Sequence, residues 1–421
     1  MNQEVYTFKS GLRLVYQQVE STRPTSIRIC ALVGSKDESA EENGISHFIE
    51  HMVFKGSKNR DSKQVSIDFE CVGAHFNAFT STNKTCFYAK GLNEKFEDTL
   101  EILSDIVFNP LFKQEEIDKE RNVIYEEIDM YKDKPSAIVS REFDKLFYGD
   151  TSIGREVIGT KETLSKINRK EIVEYYTKNY VAKNIIVSVV CGLDFKDVKK
   201  MVKKYVDCHF KGESVPDPII KSNIVVPEKK FTAIKKDVKQ AKVLFGFPCC
   251  NFFSKDKVAT ILFSFIFGGG MSSRLFTKIR EDEGLVYSIC AEAECCTYGG
   301  CFVISFGANE SNTKKTIKYI KEEIMKLKEN GVTQEELDRA KIFSKSSLLS
   351  GLEKTSSLSM KNFDNIAFDG EFISVERRIE EIEQVTLEKI NEIINSVFNF
   401  SNMCGSVISS SLDETIFDDF L

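Results

Sequence analysis

The pentapeptide His47-Phe48-Ile49-Glu50-His51 concentrates the chemistry of this chain. There are only four histidines in 421 residues, and two of them stand here, four positions apart, with a glutamate directly before the second. On a helix, residues at i and i+4 share a face with Cβ atoms about 5–6 Å apart, so two imidazoles can meet one metal ion. Glu50, at i+3, projects toward the same region and is placed to take a proton from a metal-bound water. Zn²⁺ accepts nitrogen and oxygen ligands at about 2.0–2.2 Å, and a catalytic site keeps one position open for water. That water is acidified toward a pKa of about 7, and the metal also polarises a carbonyl. A nearby carboxylate then carries the proton to a leaving amine. The plainer alternative is a helix with two packed or exposed histidines. The flanks favour a helix either way. Asn43-Gly44 or Ser46 can start it, Phe48, Ile49, Met52, Val53 and Phe54 give it apolar faces, and Gly56-Ser57 can end it.

Two histidines and a base need a third ligand from another rigid element. The segment Lys113–Lys132 reads as a helix, with Ile117, Val123, Ile124 and Ile128 forming an apolar stripe. It carries Glu115, Glu116, Glu120, Glu126 and Glu127. Glu120 and Glu127 are seven apart and share a face, whereas Glu126 is turned by about 100° from Glu127. Composition alone does not choose among them, and most glutamates on such a helix face water.

Taken together, these segments resemble the M16 inverzincin metallopeptidases, the group of insulin-degrading enzyme, pitrilysin and the mitochondrial processing peptidase. In length the chain is most similar to short bacterial members related to the processing-peptidase β subunit. The resemblance rests on GISHFIEHMVFKGS (Gly44–Ser57) and ERNVIYEEI (Glu120–Ile128). It extends through GAHFNAFTS (Gly73–Ser81) and GDTSIGREVIGTKETL (Gly149–Leu164), with Ser152 where a proline is common. In the second half it covers FGGGMSSRLFTKIREDEGLVYSI (Phe267–Ile289).

The resemblance implies that Glu127 joins His47 and His51 as zinc ligands and that Glu50 is the base. It implies that Glu120 orients a histidine, that Arg280 and Tyr287 reach toward the substrate carbonyl, and that Phe76, Asn77 and Ala78 line a strand beside an extended peptide. Without the family, Arg280 reads as a helix-surface charge and Tyr287 as a packed strand residue.

The surrounding elements fit two domains. The length suits two units of about 200 residues. Three of the seven prolines fall within Pro216–Pro227, so the expected division is a catalytic domain at 1–212, a linker at 213–229 and a second domain at 230–421. The halves repeat one another. The stretch opening at Cys86 and the stretch opening at Cys301 both read strand, polar turn, long amphipathic helix, turn, then a helix opening E-E-(I/L)-D. Strand pairs such as His75–Thr80 with Thr85–Ala89 look like hairpins. The expected fold is therefore α+β: two homologous domains, each a largely antiparallel sheet with helices mainly on one face.

The second half has no H-x-x-E-H; its corresponding stretch, Ile266–Leu275, is IFGGGMSSRL. One zinc per chain follows. Long family members carry four such domains around a chamber, so the resemblance implies closure by a second chain, as a homodimer or a heterodimer with a paralogue, with Arg280 and Tyr287 acting on the partner's metal. The expected activity is cleavage of short or unfolded peptides. The competing reading is a non-catalytic or weakly active subunit that binds peptides and completes a paralogue's chamber.

Composition narrows the setting. Apolar content of 42% and charged content of 29% are ordinary for a soluble globular chain. A net charge of −6 offers no footprint for nucleic acid, and no apolar run nears the roughly 20 residues of a membrane helix. MNQEVYTFKSGLRLVYQ lacks the charged-then-apolar pattern of a signal peptide. Twelve cysteines without a C-x-x-C read as reduced, packed thiols. The expected location is a bacterial cytoplasm.

Overall fold

The computed structural model of the chain describes residues 3–215 and 228–420; most of the expected linker lies outside them. The strands are β1 (Gln3–Thr7), β2 (Arg13–Gln18), β3 (Pro24–Ala31), β4 (His75–Thr80), β5 (Thr85–Leu92), β6 (Ile185–Cys191), β7 (Lys230–Lys235), β8 (Ala241–Cys249), β9 (Val286–Cys296), β10 (Gly299–Ala308) and β11 (Cys404–Ser409). In the first half, the helices are α1 (Ile45–Val53), α2 (Ser62–Cys71), α3 (Phe96–Phe108), α4 (Gln114–Lys132), α5 (Pro135–Tyr148), α6 (Lys161–Lys166), α7 (Arg169–Asn179) and α8 (Phe195–Tyr205). In the second they are α9 (Lys257–Ser264), α10 (Glu310–Asn330), α11 (Gln334–Gly351), α12 (Thr355–Asp364), α13 (Val375–Glu383) and α14 (Leu387–Val397). No helix among the described residues is long and apolar enough to cross a membrane.

The strands form two sheets, ordered β1-β2-β6-β3-β5-β4 and β7-β11-β8-β10-β9. Every pairing is antiparallel except β2 with β6 and β7 with β11. Removing β1 leaves the same order and the same single parallel pair in both sheets, so the sequence repeat is a repeat of topology. This is the α+β, two-domain architecture expected. The central strand β6, Ile-Ile-Val-Ser-Val-Val-Cys, is buried along its whole length. Its β-branched run suits a strand covered on both faces.

The covering of those second faces was not readable from the sequence. The chain divides into two compact units, one built from described residues of Met1–Asp129, Arg155–Ile219 and Gly351–Phe372, the other from those of Met130–Gly154, Ile220–Ser350 and Ile373–Leu421. Each unit thus holds one helix from the other half of the sequence. In the first, Val15, Cys30, Cys86 and Ile186 are buried against Phe363 of α12 and against Ile366 and Ala367 beyond it. Ser359 Oγ accepts from Arg28 Nε at 2.8 Å, and Ser188 Oγ donates to the Ser359 carbonyl at 2.7 Å. In the second, Cys301, Val303 and Cys404 are buried against Phe143, Phe147 and Tyr148 of α5, and Ser406 Oγ donates to the Val139 carbonyl at 2.7 Å.

Helix α1 starts at a fixed point. Gly44 precedes it with φ +96°, a left-handed conformation that suits glycine. A Cβ there would stand 2.8 Å from the Ile158 carbonyl oxygen. The buried Glu38 carboxylate accepts from Gly44 N at 2.8 Å, Ser46 N at 2.9 Å and Asn43 Nδ2 at 3.2 Å. It therefore satisfies N–H groups that the helix leaves free and sets a carboxylate at the positive end of the helix dipole. Burial pushes the Glu38 carboxyl up to about 7, against the pull of these donors. Replacing Gly44 by alanine should lower the unfolding free energy by about 2 kcal/mol or more, since strained backbone and crowding act together. Urea denaturation checks this; an unchanged midpoint would contradict the constraint.

Candidate metal centre

Side chains from one turn of α1 meet side chains spread over two turns of α4. The rings of His47 and His51 have centroids 4.6 Å apart. Glu127 Oε2 stands 3.6 Å from His51 Nε2 and 3.9 Å from His47 Nε2. One donor atom from each of the three lies within 4.8 Å of the others, and among the described residues no other group of three His, Cys, Asp or Glu does so. Ligands at zinc bond lengths in a tetrahedron stand about 3.4 Å apart, so these residues fit a zinc ion with little adjustment.

The protonation states fit as well. Burial, then the neighbouring His51, push His47 down to about 3, so its ring is neutral. Its Nδ1 is buried without a protein partner, and its Nε2 is beyond hydrogen-bond range of Glu127. His51 is held differently: its Nδ1 lies 2.9 Å from Glu120 Oε1, leaving Nε2 toward Glu127. A carboxylate behind a ligating histidine fixes both its tautomer and its ring plane. Glu120 also pairs with Lys55 Nζ at 2.7 Å. Burial raises the Glu120 carboxyl, yet the hydrogen bonds from His51 and Lys55 hold it below the usual carboxylate range.

The other glutamates of α4 separate cleanly. Glu126 and Glu115 are exposed, and Glu116 pairs with Lys119 at 2.7 Å. Glu50 lies on the α1 face toward the sheet, and its Oε2 accepts from Thr80 Oγ1 at 2.6 Å. Burial raises its carboxyl above the usual range, with the Thr80 bond and His51 opposing and Glu127 adding to the rise. A carboxylate so disposed is suited to accept a proton near neutral pH.

Thr80 ends β4, an edge strand that pairs only with β5 among the described residues. Of the three residues expected to line a peptide, Phe76 turns inward, stacking on Phe69 at 4.2 Å and lying 5.6 Å from Phe54. Ala78 rests against the same core, and Asn77 Oδ1 accepts from the Ala78 N–H at 2.8 Å. Asn77 is exposed, and β4 presents a main-chain edge that pairs with no second strand among the described residues.

Arg280 and Tyr287 belong to the second unit. Arg280 lies over the Tyr287 ring at 5.3 Å and the Phe276 ring at 4.6 Å. Tyr287 is 77% exposed, so it is not a packed strand residue. It stands on β9, the edge strand that corresponds to β4.

Sequence reasoning missed Thr80, Lys55 and Glu38. One signal was present for Thr80: it is two and four residues after Ala78 and Phe76, so strand alternation puts all three on one face.

The chain is similar to known proteins along most of its length. Residues 13–161 match the family model for insulinase, peptidase family M16, and residues 166–343 match that of the peptidase M16 inactive domain. The uncharacterized zinc protease YmxG of Bacillus subtilis is 33% identical over 93% of this chain and 95% of its own length. An uncharacterized zinc protease of Rickettsia felis is 33% identical over 94% and 95%. Among solved structures, a protease from Helicobacter pylori superimposes with TM-score 0.88 at 23% identity, covering 97% of this chain and 99% of that one. An M16 inactive-domain protein from Pseudomonas fluorescens does so with TM-score 0.90 at 19% identity, covering 98% of each. With relatives named zinc proteases matched along nearly its full length, the chain belongs to peptidase family M16.

Proposed function

We propose that the chain is a zinc-dependent endopeptidase that cleaves short or unfolded peptides in a chamber closed by a second chain. The observation that carries this reading is the convergence of His47, His51 and Glu127 beside an independently held Glu50. Held by those three residues, a zinc ion supplies the positive charge that acidifies a water and polarises the peptide carbonyl. Glu50 takes the proton of the attacking water and returns it to the departing amine. Glu120 keeps His51 in one tautomer, and Lys55 keeps Glu120 ionised. An extended peptide pairs with the free edge of β4, which reads main chain more than side chain. Arg280 and Tyr287 donate to the carbonyl oxygen as charge builds on it.

The case for one zinc per chain and for a second chain comes from the duplication. Helix α11 opens Glu335-Glu336-Leu337-Asp338, as α4 opens Glu115-Glu116-Ile117-Asp118. In that register the counterparts of Glu120 and Glu127 are Ala340 and Ser347. A chain with one loaded half fits a homodimer or a pair with a paralogue, in the bacterial cytoplasm.

Zinc content measured beside cleavage of a quenched peptide, with and without chelator, tests the activity, and mass by size exclusion tests the pairing. Glu50→Gln should keep zinc and lose hydrolysis by at least about 100-fold, the scale of general acid–base catalysis; a fully active variant would remove Glu50 from the reaction. Glu127→Gln should bring zinc well below one per chain, while Glu126→Gln should not. The reverse result would reassign the third ligand. A pH effect also follows. The folded chain holds His47 neutral down to about 3, whereas the unfolded chain protonates it near 6.5. Between those values the unfolded state binds more protons, so the stability of the metal-free protein should fall as pH drops from 6.5 toward 3. His47→Gln should flatten that fall in a series of denaturation midpoints.

A further inference from the structure

The geometry points to Thr80 as a positioning residue that aims the Glu50 carboxylate and ties that aim to the strand on which a peptide lies. This rests on the reading of Glu50 as the proton acceptor. Thr80 Oγ1 donates to Glu50 Oε2 at 2.6 Å, a short charge-assisted bond. The bond engages Oε2, and the Thr80 backbone N–H adds a smaller pull on the same carboxylate. Without it, the Glu50 carboxylate loses its short side-chain partner and is held less tightly.

Three features hold Thr80 in place. Phe76, on the same face of β4, is wedged against Phe69 and Phe54, which locks the strand to α2 and to the end of α1. The hairpin closes immediately after Thr80, with Ser81 N donating to the Lys84 carbonyl at 2.8 Å. The hairpin tip is then held by the segment before α1: Ser35 N donates to the Ser81 carbonyl at 3.2 Å and Lys36 N to the Thr82 carbonyl at 3.1 Å. That approach requires glycine at 34, where a Cβ would stand 2.2 Å from the Ser81 carbonyl oxygen. Two residues beyond Lys36, Glu38 holds the start of α1. One short segment therefore grips both the hairpin that carries Thr80 and the helix that carries Glu50.

Because Thr80 belongs to the edge strand, a peptide pairing with β4 presses on the element that aims the base. Seating of the substrate and orientation of Glu50 are thereby coupled, with no side chain of the substrate involved.

The test compares Thr80→Val, which keeps the shape and removes the hydroxyl, with Thr80→Ser, which restores it. Thr80→Val should lower kcat roughly 10- to 100-fold, the scale of a misaimed catalytic group, with KM within about twofold. Zinc per chain and melting temperature should match wild type, and Thr80→Ser should recover most of the rate. In the crystal structure of metal-free Thr80→Val, Glu50 should occupy more than one rotamer. A Thr80→Val enzyme with unchanged kcat, or one whose loss tracks a fall in melting temperature that serine does not repair, overturns the positioning role. A wild-type chain with no zinc-dependent cleavage overturns the proposed activity and this role together; Thr80→Val with full kcat while Glu50→Gln is inactive overturns this role alone.

Discussion

The site depends on a carboxylate placed where carboxylates are rarely found. Glu120 is 5% exposed on α4, and burying an unpaired charge is strongly unfavourable. It is tolerated because both oxygens are used, one by His51 and the other by Lys55, and both donors come from α1 and the residues just after it. The pairing that makes the burial acceptable also fixes the relative setting of α1 and α4. That setting in turn brings Glu127, two turns along, against the two histidines. Removing either donor leaves a buried charge without full compensation, a far larger penalty than a surface ion pair supplies.

The duplicated half shows the same frame without that requirement. Where α4 carries Glu120, the matching position of α11 is Ala340, which is fully buried. Alanine needs no partner, so the second unit is free of the constraints that hold α1 to α4. Its sheet keeps the same order and the same parallel pair, which separates what the fold demands from what the metal demands. The fold demands strand order and packing; a metal site would demand only a few imidazole and carboxylate groups on two helices.

How much of this was legible beforehand follows from how local each signal is. His47, Glu50 and His51 lie within a single helical turn or so, and their spacing alone places them on one face. Glu120 and Glu127 announced a shared face by a heptad, though choosing Glu127 over Glu126 took the resemblance, and exposure of Glu126 now gives the physical reason. Thr80 could be placed on a face by strand alternation, but its partner is thirty residues away on another element, and a threonine in a strand is ordinary. The exchange of α5 and α12 was equally hidden, since an amphipathic pattern says that a helix has an apolar face but not which sheet will cover it. The face that Phe76 takes was equally open: strand alternation allows either, and the packing with Phe69 and Phe54 shows which one it is.

The exchange of helices has a consequence in time. The first sheet is complete once Cys191 has been made, but the residues that cover its second face, around Phe363 to Ala367, come far later in the chain. At a synthesis rate of about 5–20 residues per second, the interval is on the order of ten seconds or more. Throughout it Val15, Cys30, Cys86 and Ile186 form an uncovered apolar surface on a nascent protein. The arrangement makes the order of synthesis matter: the unit that holds His47, His51 and Glu127 cannot be finished until most of the other half has emerged, so an unfinished chain should not carry that site in its final form.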